Sequence, residues 1–345
     1  ASYTADVVPA DFAGMSAKEF GQKPIGTGPF TISSWHRGQG IKLTKNPDYW
    51  KPSKPHLDEI AFTTVTDETS RLAQVRGGSL DMAKATPLAV KTGIPPGSGV
   101  RVEETAQTIV DYLLLNQNDP SFEDPRMREA INLALDREGL IKTATDEKGE
   151  LGASYLPPAA IYAAELKPPA RDVAKAKKLA AEAIAAGADP SFTIPYYNFD
   201  SYSAIASQVV QQNLEEIGLK VKLQPLDEAA LNEELEAGEY EAVLGLYYPA
   251  NADPSEITQF YLSFYAPHNG ADLKAQEALA GKALNELNSQ RRGQLYAELQ
   301  EMVADEESML VLNYQPVVYP VVEKVTGVEF DPVGNLLLRN AGFSE

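Results

Sequence analysis

Between Phe30 and Thr44 apolar and polar positions alternate, Pro29 fixes a rigid start, and Gly38-Gln39-Gly40 interrupts the run. That pattern predicts a β-hairpin over roughly 27–46, followed by the aromatic pair Tyr49-Trp50. His56–Thr66 also alternates, with Leu57, Ile60 and Phe62 apolar, and reads as another strand. Asp67-Glu-Thr-Ser70 then caps a helix that carries Leu72 and Val75 and stops at Gly77-Gly78. Leu80-Asp-Met-Ala returns as a strand, and Val100–Glu104 and Thr108–Asn116 read as two more. From Val110 to Leu115 the apolar run is almost unbroken, as in a strand buried on both faces or one crossing between two bodies.

After Asp124 the period lengthens. Asp124 caps, Pro125 takes the first helical position, and Met127, Ile131 and Leu135 fall on one face. A Gly- and Pro-rich loop over 149–169 precedes a helix from Asp172 to Ala186, striped by Val173, Ala176, Leu179, Ala180, Ala183 and Ile184. Strand 191–197, helix 202–217, strand 219–226, helix 228–237 and strand 240–247 then alternate. That order predicts an α/β unit with right-handed crossovers. Leu279–Asp305 is mostly helical, and Met309–Gln315, Val317–Val325, Val328–Phe330 and Asn335–Arg339 close the chain as strands. Residues 1–25 are polar and irregular apart from a short helix opening at Met15 or Ser16 and running to Phe20.

Composition narrows the chemistry. A 345-residue chain that is 43% hydrophobic can bury a large core, in two domains or one elaborate one. A net charge of −19 repels nucleic acid and anionic lipid alike. With no cysteine there is no disulfide, thiolate ligand or cysteine nucleophile. His36, His56 and His268 are scattered without an i, i+4 partner, so no zinc or iron site is expected. Neither a Gly-x-Ser-x-Gly elbow nor a phosphate loop occurs, and no cofactor is expected. The acidic runs Glu233-Glu234-Leu-Glu236 and Asp305-Glu-Glu307 read as solvated helix faces, and Trp35 and Trp50 as core or hairpin anchors.

Ligands of open α/β sheets lie beyond the carboxyl ends of strands. Past Leu246 comes Tyr247-Tyr-Pro-Ala-Asn-Ala-Asp-Pro254, the densest polar and aromatic cluster of the chain. Tyr196-Tyr-Asn198 ends a neighbouring strand and Asn116-Gln117-Asn118 follows the long apolar one, so both are expected at the same crevice. The expected ligand-binding set is Tyr247, Tyr248, Asn251, Asp253, Tyr196, Asn198 and Asn116. The plainer alternatives are packing of the tyrosines beneath their loop and a turn-capping role for Asp253 before Pro254.

Several separated motifs agree in order with one family. Gly26-Thr-Gly-Pro-Phe-Thr-Ile-Ser-Ser-Trp35 with Lys45-Asn-Pro-Asp-Tyr-Trp50, the line from Phe122 to Arg137, and the helix from Arg291 to Asp305 carry the likeness. The chain resembles the large extracellular solute-binding proteins that deliver peptides, nickel and related solutes to ABC importers. The resemblance implies an α/β, periplasmic-binding-protein-like architecture of two lobes (type II), with the first lobe incomplete. Members carry roughly another third of chain before the Gly-Thr-Gly-Pro hairpin, so a missing N-terminal part is expected. The implied division is 1–110 plus 316–345 as part of the first lobe and 111–315 as the second, hinged near Asp111 and Gln315.

The resemblance further implies a non-enzymatic, monomeric, extracytoplasmic protein that captures a peptide- or oligosaccharide-like solute and meets permease subunits. It would reach the membrane only through them or through a lipid anchor outside this chain. Tyr247 falls at the family's usual Trp position and Asp253-Pro254 at its acidic-Pro pair. Ala250 stands where peptide-binding members place the aspartate that neutralises the α-ammonium, which puts free-N-terminus peptides in doubt. A sensory or protein-interaction module on the same scaffold is the alternative.

Overall fold

A computed structural model describes residues 8–51 and 53–344; the expected irregular start at 1–7, Pro52 and Glu345 lie outside the described residues. Helix α1 (Ala17–Gln22) opens at a reciprocal cap, in which Ser16 Oγ accepts from the Glu19 N–H and the Glu19 carboxylate accepts from the Ser16 N–H at 3.0 Å. Strands β1 (Phe30–His36), β2 (Gly40–Lys45) and β3 (Glu59–Thr63) form an antiparallel sheet in that order. Trp35 and Trp50 are not core anchors. Trp35 lies on the face of β1 that Thr31 and Ser33 share, and the two rings are 42% and 68% exposed, with Arg37 and Lys51 over them.

Helix α2 (Glu68–Arg76) starts where Asp67 accepts from the Ser70 N–H at 2.7 Å, and α3 (Pro87–Gly93) follows at Thr86. Strand β4 (Val100–Leu115) leads to α4 (Pro125–Ala134) and α5 (Arg137–Ala144). The helical period through Leu135 is broken: Leu135 is extended, and Asp136 caps α5 by accepting from the Gly139 N–H at 2.9 Å. Then come β5 (Glu150–Leu151), α6 (Val173–Ala185), β6 (Ser191–Tyr197), α7 (Ser201–Glu216), β7 (Lys220–Leu226), α8 (Glu228–Ala237) and β8 (Ala242–Tyr247). Helices α9 (Pro254–Phe260), α10 (Leu273–Asn285) and α11 (Ser289–Asp305) precede β9 (Met309–Val322). Strands β10 (Val325–Thr326) and β13 (Gly342–Phe343) pair, as do β11 (Glu329–Phe330) and β12 (Leu336–Leu337). Aspartates 172, 200, 227, 253 and 272 each cap one of α6 to α10 in turn, which sets where those helices begin.

The principal sheet runs β5-β9-β4-β8-β6-β7. Strands β6, β7 and β8 are parallel to one another, and β4 is antiparallel to β8 and β9. Helices cover both faces. Leu113 and Leu115 enter the core with Met127, Ile131, Ala180 and Val210, whereas Val110, Tyr112 and Leu114 enter a second core with Leu235, Tyr261 and Val303. Burial on both faces is what the unbroken apolar run of β4 reflects.

The two expected strand pairs at 100–116 and 309–325 are instead two long strands. β4 pairs with β9 from Val100 to Leu114, but with β8 only from Val110 onward. Before Val110, over Val100–Ile109, β4 and its partner β9 therefore leave the principal sheet as a ribbon. There β9 meets α2 and α3, and Val318 packs with Leu72, Ala85, Val90 and Ile94. Register breaks between Glu104 and Ile109 accommodate Pro316, which has no N–H to donate. Leu80–Ala83, expected as a strand of its own, instead lies in a segment that runs along β9 through the isolated bridges Met82–Val321 and Ala85–Val318.

Candidate functional site

Because β6, β7 and β8 are parallel, their carboxyl ends and the starts of α7 and α8 gather at one end of the sheet. Elements of the ribbon end close over that place. The Glu68 carboxylate accepts from the Thr86 N–H at 2.7 Å on its own side and from Ser201 Oγ at 2.8 Å across the junction. The Thr86 and Ser201 hydroxyls share a hydrogen bond of 2.9 Å. Asn335 Nδ2 donates to the Ala250 carbonyl at 2.9 Å, and Lys84 Nζ stands 3.7 Å from the centre of the Tyr248 ring.

Tyr248 is 38% exposed, yet protein surrounds it closely enough that burial, and then Asp200, push its phenol well above the ordinary range. Lys84 is also reachable from solvent, and the same desolvation pulls its ammonium down to about 8 against the attraction of Asp200 and Glu228. Burial raises the Asp200 carboxyl, opposed by the Ser203 N–H that it caps. Deeper, Asp111 is 1% exposed and accepts from Gln315 Nε2 at 3.0 and 2.9 Å.

Of the expected residues, Tyr248 stands at this junction beneath the Lys84 ammonium. Tyr247 does not: strand alternation turns it into the core, where its ring meets Phe260 at 4.8 Å and its hydroxyl donates to Glu256. Asn251 Oδ1 accepts from the Asp253 N–H at 2.9 Å, closing a turn. Asp253 caps α9 through the Ser255 N–H and pairs with Arg292 at 3.0 Å, the capping role that was the plainer alternative. Tyr196 and Asn198 sit at the right end of the sheet, Tyr196 half-buried against the α6–α7 core and Asn198 exposed. Asn116 is at the wrong end. β4 is antiparallel to β8 and pairs Leu115 with Ala242, so Asn116 sits beside the start of β8 and donates to the Tyr240 carbonyl at 3.0 Å.

Asp253→Ala should accordingly cost about 1–2 kcal/mol in urea unfolding, from a lost cap and a half-exposed ion pair. Solute affinity should stay within about twofold; a tenfold loss of affinity without a change in stability would return Asp253 to the site.

A profile described as bacterial extracellular solute-binding proteins, family 5, middle, matches residues 1–269. The chain belongs to that family. The glutathione-binding protein GsiB of Salmonella choleraesuis is 26% identical over 330 residues, covering 90% of this chain. The chain spans 62% of that relative's length. The dipeptide-binding protein of Pseudoalteromonas sp. SM9913, solved with Met-Leu, superposes with a TM-score of 0.84 at 21% identity, over 100% of this chain and 70% of its own. The periplasmic binding protein DppA of Helicobacter pylori, solved with peptide STSA, gives 0.83 at 24% identity, over 98% and 68%. The fold is thus the α/β fold of type II periplasmic binding proteins. Family 5 is a family of extracellular solute-binding proteins, not of catalysts. Among the described residues no helix is long and apolar enough to cross a membrane.

The sequence carries the family likeness, but it did not point to Glu68, Lys84, Thr86, Asp200 and Ser201, which meet at this junction. Asp200 and Glu68 carry a signal, since both stand in recognisable helix starts. Lys84 carries none, because its partner Tyr248 belongs to a strand end far along the chain.

Proposed function

We propose that this chain is the capturing part of an extracytoplasmic binding protein of an ABC importer. It holds a small solute beside the Tyr248–Lys84 pair, leaves it chemically unchanged and hands it to permease subunits. Residues 1–110 with 316–345 form one lobe and 111–315 the other, bending near Asp111 and Gln315. Tyr196 and Asn198 extend the solute-facing wall. The observation that carries this reading is the set of contacts from Glu68, Lys84 and Thr86 to Ser201 and Tyr248 at the carboxyl ends of parallel strands. A solute touching both walls binds the closed arrangement better than the open one, and that difference is what shifts the population. Micromolar affinity corresponds to about 8 kcal/mol, which needs contributions from both walls.

The glutathione-binding and peptide-bound relatives favour a peptide-like solute over an oligosaccharide. The test is a thermal-shift panel of glutathione, di- to pentapeptides and oligosaccharides. A solute at a hundred times its Kd adds about 2.7 kcal/mol and should raise Tm by roughly 5 °C. Silence across the panel would favour a protein-interaction module instead.

A further inference from the structure

Lys91, Lys148 and Lys175 pair with Asp146, Glu104 and Glu129. Lys84 makes no such pair. Its ammonium rests on the face of Tyr248 and, among the described residues, has no carboxylate within 4.0 Å. The other cation nearby, Arg71 of α2, is spent on the backbone, with Nε on the Lys84 carbonyl at 3.1 Å and Nη1 on those of Val65 and Thr66. Acids face Lys84 or its ring partner from several elements: Asp200 before α7, Glu228 at the start of α8, Glu68 on α2 and Asp111 on β4. Glu68 is engaged by Thr86 and Ser201, and Asp111 by Gln315.

We propose that Lys84 is the specificity-determining residue of the cleft, and that the solute it accepts presents a carboxylate to its ammonium with the adjoining part lying against Tyr248. This rests on the reading of the cleft as a solute site. A carboxylate would supply the charge-assisted hydrogen bonds that the protein itself withholds. A phosphate would offer similar geometry. The surrounding acids penalise its second charge, so a carboxylate is the better match. Lys84 is partly deprotonated near pH 8, and pairing with an anion restores its proton, so binding at that pH takes up protons.

Calorimetry at pH 8 tests this with glutathione, Met-Leu, the ester or amide of each, and inorganic phosphate, in two buffers of different ionisation enthalpy. The free acids should bind about 10- to 100-fold more tightly than their amides or esters, with proton uptake. Lys84→Met should abolish both the preference and the uptake while leaving the ligand-free melting temperature in place. Lys84→Arg should keep the preference. Equal affinity for acid and amide, unaltered selectivity in Lys84→Met, binding of phosphate in place of the carboxylates, or no binding by any carboxylate would each overturn it. An oligosaccharide that binds when the carboxylates do not leaves the solute-binding reading standing and removes only Lys84; no binding by anything removes both.

Discussion

Replacing Arg137 with alanine should lower the unfolding free energy by about 3–5 kcal/mol, with an unchanged denaturant slope. Arg137 is 6% exposed at the start of α5, and burial pulls its guanidinium down to about 10. It is held by acceptors alone. Nε donates to the Val311 carbonyl at 2.8 Å, Nη1 to the Asn132 carbonyl at 3.1 Å and Nη2 to Asn132 Oδ1 at 2.7 Å. Asn132 Nδ2 continues the chain to Glu307 at 2.8 Å. One side chain thus closes the break between α4 and α5 and fastens both to β9. Alanine would orphan these acceptors and leave a cavity. Lysine, lacking the planar fork, should recover only part of the loss. A cost below about 1 kcal/mol for alanine would show that water replaces the guanidinium freely.

The second large effect concerns Asp111. Burial raises its carboxyl well above the ordinary range, and the hydrogen bonds from Gln315, Tyr202 and Asn313 offset this only in part. A carboxyl raised on folding contributes stability that is complete below its unfolded value and lost as pH climbs through the folded value. Stability should therefore decline from about pH 4 upward through this group. Asp111→Asn should flatten that slope and gain about 1–3 kcal/mol at pH 7, with the Gln315 amide turning to meet the carboxamide. Urea unfolding at several pH values measures both. The same slope in the variant would assign the pH dependence elsewhere.

The alternation of strands and helices over 191–247 was legible because each helix has an aspartate start and a period of its own, so the boundaries fall within one or two residues. Leu135 shows the limit. It continues the apolar stripe of α4 and is buried as that stripe requires, yet Asp136 captures the next turn for a new helix. At the site, the sequence located the loop after β8 but not which tyrosine faces out, since one step of strand alternation separates Tyr247 from Tyr248. Asn116 was misplaced for another reason: an apolar run conveys burial but not the direction of its strand. Lys84 was beyond reach, as its environment is made by packing between remote segments.

Gln315 donates to Asp111 across a sequence separation of 204 residues. A ribosome adding roughly 5–20 residues per second needs on the order of 10–40 s to supply the missing neighbour of β4. Until then the nascent chain carries one of its greasiest stretches without a lid on that side, at the mercy of chaperones and of other unfinished chains. Zipping of the ribbon is thus a late event, and whatever delays emergence of β9 should show up as aggregation in the cell well before it shows up as altered solute uptake.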